Sequence, residues 1–90
     1  MRRSYRFYGD VQGVGFRYRA TQAANSLGVT GWVRNETDGT VTMEAQGTEK
    51  ELRELLRLIQ QGRYVEITHM DVEEIGELGG ERGFGILNAY

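Results

Sequence analysis

Between residues 4 and 11 apolar and polar side chains alternate. Tyr5, Phe7, Gly9 and Val11 share one parity, and Ser4, Arg6, Tyr8 and Asp10 the other. A period of two predicts a strand with one face buried. From Phe16 the period lengthens: Phe16, Ala20, Ala23, Ala24 and Leu27 form one helical stripe, and Gly28 stands where a left-handed glycine ends a helix. Residues 29–35 predict a second strand, with Val29, Gly31, Val33 and Asn35 on one parity. Asp38-Gly39 signals a hairpin because both residues tolerate positive φ. The third strand follows, with Val41, Met43 and Ala45 inward. Thr48 and Glu51 have capping-box spacing for a second helix whose stripe is Leu52, Leu55, Leu56 and Ile59, with Gly62 closing it. A fourth strand covers roughly residues 64–75. Its apolar parity switches between Ile67 and Met70, which predicts a bulge near Thr68-His69. Gly79-Gly80 predicts a loop, and Phe84 and Ile86 open a short last strand.

The order β-α-β-β-α-β with a short fifth strand predicts an α+β, ferredoxin-like sandwich: an antiparallel sheet with two helices on one face. At 90 residues the chain has room for one domain, expected to span 1–90. The absence of cysteine excludes a disulfide scaffold, a thiolate zinc site and a cysteine nucleophile. A single histidine, His69, argues against a histidine-built metal site or a His-based triad. No apolar run approaches the ~20 residues of a membrane span, and no signal-peptide stretch follows Met1-Arg2-Arg3, so a cytoplasmic location is expected. Charge is distributed unevenly. Residues 1–35 carry six arginines against Asp10 alone, a net of +5, whereas residues 36–90 carry five basic and twelve acidic groups, a net of −7. The basic third either faces an anionic partner or pairs with the acidic remainder.

Candidate chemistry is concentrated where the first strand meets the first helix, in Gly9-Asp10-Val11-Gln12-Gly13-Val14-Gly15-Phe16-Arg17. Two glycines two apart let a loop curl with its amides turned inward as an anion nest. The helix start adds free N–H groups and a positive dipole end. Arg17 in the first turn is placed to fork a phosphate. The plainer alternative is a tight strand-to-helix turn with an exposed arginine, and local physics leaves both open. The segment is neither a dinucleotide fingerprint, since Tyr18 occupies the third glycine position, nor a Walker loop. Asn35 ends the second strand on the inward parity, where an amide either holds a water at the sheet's end or satisfies the coming turn. Asn35-Glu36-Thr37 matches a glycosylation sequon, which without a signal peptide is read as chance. Arg2, Arg3 and Arg6 are read as surface charges. Glu73, Glu74, Glu77 and Glu81 are read as a solvated edge, His69 as structural or solvent-facing, and Trp32 as packing.

Gly9-x-Val11-Gln12-Gly13-Val14-Gly15-Phe16-Arg17, followed by Gly28-Val29-x-Gly31-Trp32-Val33-x-Asn35 and Asp38-Gly39-x-Val41, closely resembles the acylphosphatases, over nearly the whole chain. The resemblance implies a ferredoxin-like hydrolase that cleaves acyl phosphates to a carboxylate and inorganic phosphate, without metal or cofactor. It implies that Arg17 binds the phosphoryl group with the loop amides, a set taken as Gln12, Gly13, Val14, Gly15, Phe16 and Arg17, and that Asn35 positions the attacking water. The expected partners are a small-molecule acyl phosphate and inorganic phosphate, with no nucleic acid and no membrane, and a monomer is expected. Two departures stand out. The family's Phe-x-Ile-x-Tyr ending is replaced by Phe84-Gly85-Ile86-Leu87-Asn88-Ala89-Tyr90, and the prolines common after its second helix give way to Gly62-Arg63-Tyr64. A phosphate-binding module without catalysis, and weak nucleic-acid binding through the basic third, are the competing readings. The Lys/Arg-Gly-aromatic signature of an RNA-binding third strand is absent.

Overall fold

The computed structural model describes residues 1–88; Ala89 and Tyr90, in the atypical ending, lie outside the described residues. Along the chain run β1 (Arg2–Asp10), α1 (Phe16–Leu27), β2 (Thr30–Asn35), β3 (Val41–Gln46), α2 (Glu49–Gln60), β4 (Glu66–Ile75) and β5 (Phe84–Leu87). The sheet order is β4-β1-β3-β2-β5. β1 pairs antiparallel with β3 and β4, and β2 antiparallel with β3. β5 lies parallel to β2, Gly31 opposite Phe84 and Val33 opposite Ile86. The sheet is therefore mixed, and the expectation of an antiparallel sheet holds for four strands of the five. The reason lies in residues 76–83, which carry the chain from one edge of the sheet to the other and bring it back in the direction of β2. Asn25 of α1 fixes the strand's start, its Oδ1 accepting from Phe84 N at 3.0 Å.

Both helices cover the face built by Tyr5, Phe7, Val33, Val41, Met43 and Ala45, and Phe16, Ala20, Ala24, Leu52, Leu55 and Ile59 complete the core. α1 ends at Gly28 in the left-handed conformation, and α2 begins with the reciprocal Thr48–Glu51 capping box. α2 closes otherwise than the glycine suggested: Gln61 is right-handed and ends the helix without a positive φ at Gly62. In the β2–β3 turn only Gly39 takes positive φ. Asp38 instead uses its carboxylate, which accepts from Thr40 N and Oγ1. The bulge occurs where the parity switch put it: Tyr8 faces His69 and Gly9 faces Ile67, leaving Thr68 as the extra residue. Gly31 is required by close approach. Its φ is +144° and a Cβ there would stand 1.9 Å from the Glu44 carbonyl oxygen.

The open face of the sheet corrects two expectations. Arg2 is 1% exposed, not a surface charge. Its Nε bonds Glu44 at 3.0 Å and its Nη1 bonds Glu81 at 2.7 Å. Glu81 is correspondingly a partner of that buried guanidinium, not part of a solvated edge, and Arg2 holds its carboxyl below the ordinary carboxylate value. The 76–83 connection, tied to β3 by the Gln46–Leu78 bonds, is what covers Arg2. Pairing of this kind explains most of the charge asymmetry. Arg3 meets Glu74, Arg6 meets Asp38, and Arg34 meets Glu36 while lying 5.1 Å from the Trp32 ring centroid. His69 is exposed and bonded to Asp71.

Candidate active site

The core fixes the first strand-to-helix connection at both ends. Val11 is fully buried, and Phe16 packs its ring 4.9 Å from that of Phe7. Between these anchors Gly13 and Gly15 both take left-handed φ, +72° and +78°. The chain thus reverses within a few residues and enters α1 with Gly15 as its cap. The first amide satisfied by the helix is that of Arg19, which bonds Gly15 O at 3.0 Å. Among the described residues the N–H groups of Gly13 to Tyr18 have no acceptor in the protein. The connection is an amide-lined concavity at a positive helix end.

Arg17 and Asn35 join it there. One cavity of about 190 Å³ is lined by Val11, Gly13, Gly15, Phe16, Arg17, Tyr18, Asn35 and Ile86. Arg17 is the one charged side chain in that lining. Of the six arginines in residues 1–35, four pair with carboxylates and Arg19 donates to Leu58 O. Arg17 alone has no carboxylate or carbonyl partner among the described residues. Asn35 closes β2 on the inward parity, and its Oδ1, shielded from solvent, has no hydrogen-bond partner among the described residues. An unmet buried acceptor ordinarily costs about 1–3 kcal/mol. The adjacent Glu36 carboxylate does not compete for Arg17: the Thr42 hydroxyl and Arg34 engage it and lower its pKa.

The spacing pattern thus brought Gly13, Gly15, Phe16, Arg17 and Asn35 to one cavity. Val14 is half-buried against the core. The Gln12 side chain is turned elsewhere, its Nε2 donating to Glu36 O at 2.7 Å and Thr40 O at 2.9 Å. Tyr18 and Ile86 line the cavity without having been singled out from sequence. The helical period does put Tyr18 beside Arg17, but only the parallel direction of β5 carries Ile86 to this end of the sheet. At roughly 30 Å³ per water-sized group, the volume is on the order of six such groups.

The sequence profile of the acylphosphatases matches residues 3–86. The chain belongs to the acylphosphatase family. An acylphosphatase of Bacillus licheniformis is 47% identical over 79 residues, covering 87% of this chain and 88% of that one. That of Acaryochloris marina is 44% identical over 80 residues, covering 88% and 85%. The crystal structure of acylphosphatase from Bacillus subtilis superposes with a TM-score of 0.87 at 33% identity, covering 96% of this chain and 97% of that chain. The activity of this acylphosphatase family member is the hydrolysis of acyl phosphates, small-molecule substrates, to a carboxylate and inorganic phosphate. Among the described residues no helix is long and apolar enough to cross a membrane.

Proposed function

We propose that Arg17 and the amides of the Gln12–Arg17 loop bind the phosphoryl group of the substrate and that Asn35 orients the water that attacks it. The observation carrying this reading is the meeting, in one small cavity, of an arginine without a carboxylate partner and a buried carbonyl oxygen without a donor. The two are complementary to the two halves of the reaction. A phosphoryl dianion supplies the acceptors that Arg17 and the loop N–H groups lack, and a water supplies the hydrogen that Asn35 Oδ1 lacks.

The leaving group of an acyl phosphate is a carboxylate, which departs without a general acid. The demand on the protein is therefore positioning and charge stabilisation. With the phosphoryl oxygens held by Arg17 and the loop, the water on Asn35 attacks phosphorus in line with the acyl oxygen. A P–O bond forms to the water, the P–O bond to the acyl group breaks with its electron pair leaving on the carboxylate, and the water's proton passes to a phosphate oxygen. Asn35 acts as a neutral orienter and not as a base. The reading extends to a monomer of one catalytic domain that works on a small-molecule substrate in the cytoplasm.

Benzoyl phosphate turnover, followed by its ultraviolet signal, tests the assignment. Loss of a preorganised donor of this kind costs about 10²–10³-fold in rate, so Arg17→Ala should fall at least that far with its circular dichroism unchanged. Near-normal turnover in that variant would refute the assignment. A lysine in its place restores charge but not the bidentate fork, so Arg17→Lys should recover only part of the loss.

A further inference from the structure

The phosphate loop and Asn35 have to be held at a set separation, yet no backbone ladder joins them. β1 and β2 are not neighbours; β3 lies between them. Two strand spacings of about 4.8 Å put roughly 10 Å between β1 and β2. The β1–β3 ladder ends at Phe7 opposite Val41, before the loop begins. Arg6 of β1 reaches the β2–β3 turn at the Asp38 carboxylate and Thr40 Oγ1, but among the described residues one side chain of the loop itself bonds the turn's backbone. Gln12, the residue before the first loop glycine, places both hydrogens of its Nε2 on carbonyls of the β2–β3 turn, Glu36 O at 2.7 Å and Thr40 O at 2.9 Å. Glu36 follows Asn35 directly in the chain, and Thr40 is its partner across the turn, with Glu36 N donating to the same Thr40 oxygen at 2.9 Å.

From this geometry we infer that Gln12 is a positioning residue for the reaction, a clip that sets the distance and orientation between the phosphoryl cradle and the water held by Asn35. The inference rests on the roles proposed for Arg17 and Asn35. A neutral amide is the group this clip calls for. It presents two hydrogens on one nitrogen without charge; a carboxylate there would present none and would set a negative charge beside two carbonyl oxygens. Both ends of the clip are fixed. Val11 is fully buried on the loop side and Thr40 is buried on the turn side, so a change in the clip is transmitted as displacement and not absorbed by slack. Misplacement by about 1 Å at a reacting centre costs on the order of 10²-fold.

Benzoyl phosphate hydrolysis by Gln12→Ala and Gln12→Glu, with competitive inhibition by inorganic phosphate as a readout of the cradle alone, tests this. The expected result is a kcat lowered about ten- to a hundredfold while the phosphate inhibition constant stays within about threefold, with Gln12→Asn intermediate in kcat. A kcat within twofold of the parent in folded variants would overturn the inference, as would a parallel loss of kcat and phosphate affinity. A double-mutant cycle removes dependence on any one variant's stability. Because Gln12 acts through Asn35, Gln12→Ala should lower kcat by less than about threefold in an Asn35→Ala background, whereas full multiplicative loss there counts against it. The reading beneath fails separately: turnover that survives Arg17→Ala or Asn35→Ala refutes the site, while loss in those variants with none in the Gln12 series refutes only the clip.

Discussion

Asn35 illustrates what a residue proposed to hold the attacking water costs the fold that carries it. Its Oδ1 is buried without a protein donor, and removing such an acceptor is neutral or stabilising, in contrast to the usual effect of truncating a half-buried residue. Asn35→Ala is expected to lower kcat by about 10²-fold with a smaller change in KM, while its melting temperature equals or exceeds that of the parent. A clear fall in melting temperature would mean that the amide serves the β2–β3 turn instead. The period-two pattern was enough to place Asn35 at the inward end of β2, and the loop glycines with the helical stripe were enough to put Arg17 in the first turn of α1. The unmet oxygen of Asn35, the turn carbonyls bonded by Gln12 and the burial of Arg2 were not legible: the first emerges only when the end of the sheet is packed, and the other two depend on partners between 24 and 79 residues away. Arg2 in particular has the local appearance of an exposed N-terminal charge, and only the connection carrying Glu81 encloses it.

At the level of elements, strong local signals survived into the structure almost unshifted. α1 spans the residues its stripe marked, the Thr48–Glu51 box caps α2, and the bulge falls at Thr68. Each of these is decided by residues within one or two turns of chain. The direction of β5 is different in kind. It depends on how residues 76–83 cross the sheet, which no periodicity within Phe84–Leu87 encodes. The crossing brings Ile86 to the cavity and makes the sheet mixed. Gly31 shows how tightly β2 and β3 meet beside that strand. With a Cβ 1.9 Å from Glu44 O and a φ of +144°, Gly31→Ala has to displace backbone as well as strain it. A loss of at least about 2 kcal/mol is expected by urea denaturation, and Gly76→Ala, where nothing approaches within 4 Å, should change stability far less. Equal effects at the two positions would contradict the close approach.

For the whole molecule, the charge asymmetry becomes a pairing pattern, with Arg2, Arg6 and Arg34 answered by carboxylates on the open face of the sheet and Arg3 by Glu74 and by Glu49 of α2 on the helix side. Its consequence for acid stability follows from sign. The Glu81 and Glu36 carboxyls lie below their ordinary value of 4.5 because of bonds from Arg2 and from the Thr42 hydroxyl respectively. The stabilisation they contribute is complete above that value and lost as pH falls through the lower folded-state values. The melting temperature should therefore be flat from pH 7 to about 5 and decline below about 4.5. The decline should be shallower in Glu81→Gln, and an equal slope in that variant would exclude the Arg2 pair as a cause. The interior position of β1, between β4 and β3, has a further, temporal consequence. It is made first in the chain, yet both of its sheet partners come from residues 41–46 and 66–75, so beyond the β2–β3 hairpin the sheet cannot assemble from sequence neighbours. Topologies dominated by such distant pairings refold in milliseconds to seconds, not microseconds. With no proline in the chain, prolyl isomerisation cannot add a slower step. Stopped-flow refolding should be slow for 90 residues yet a single exponential, limited by the search that brings two distant strands to either side of β1.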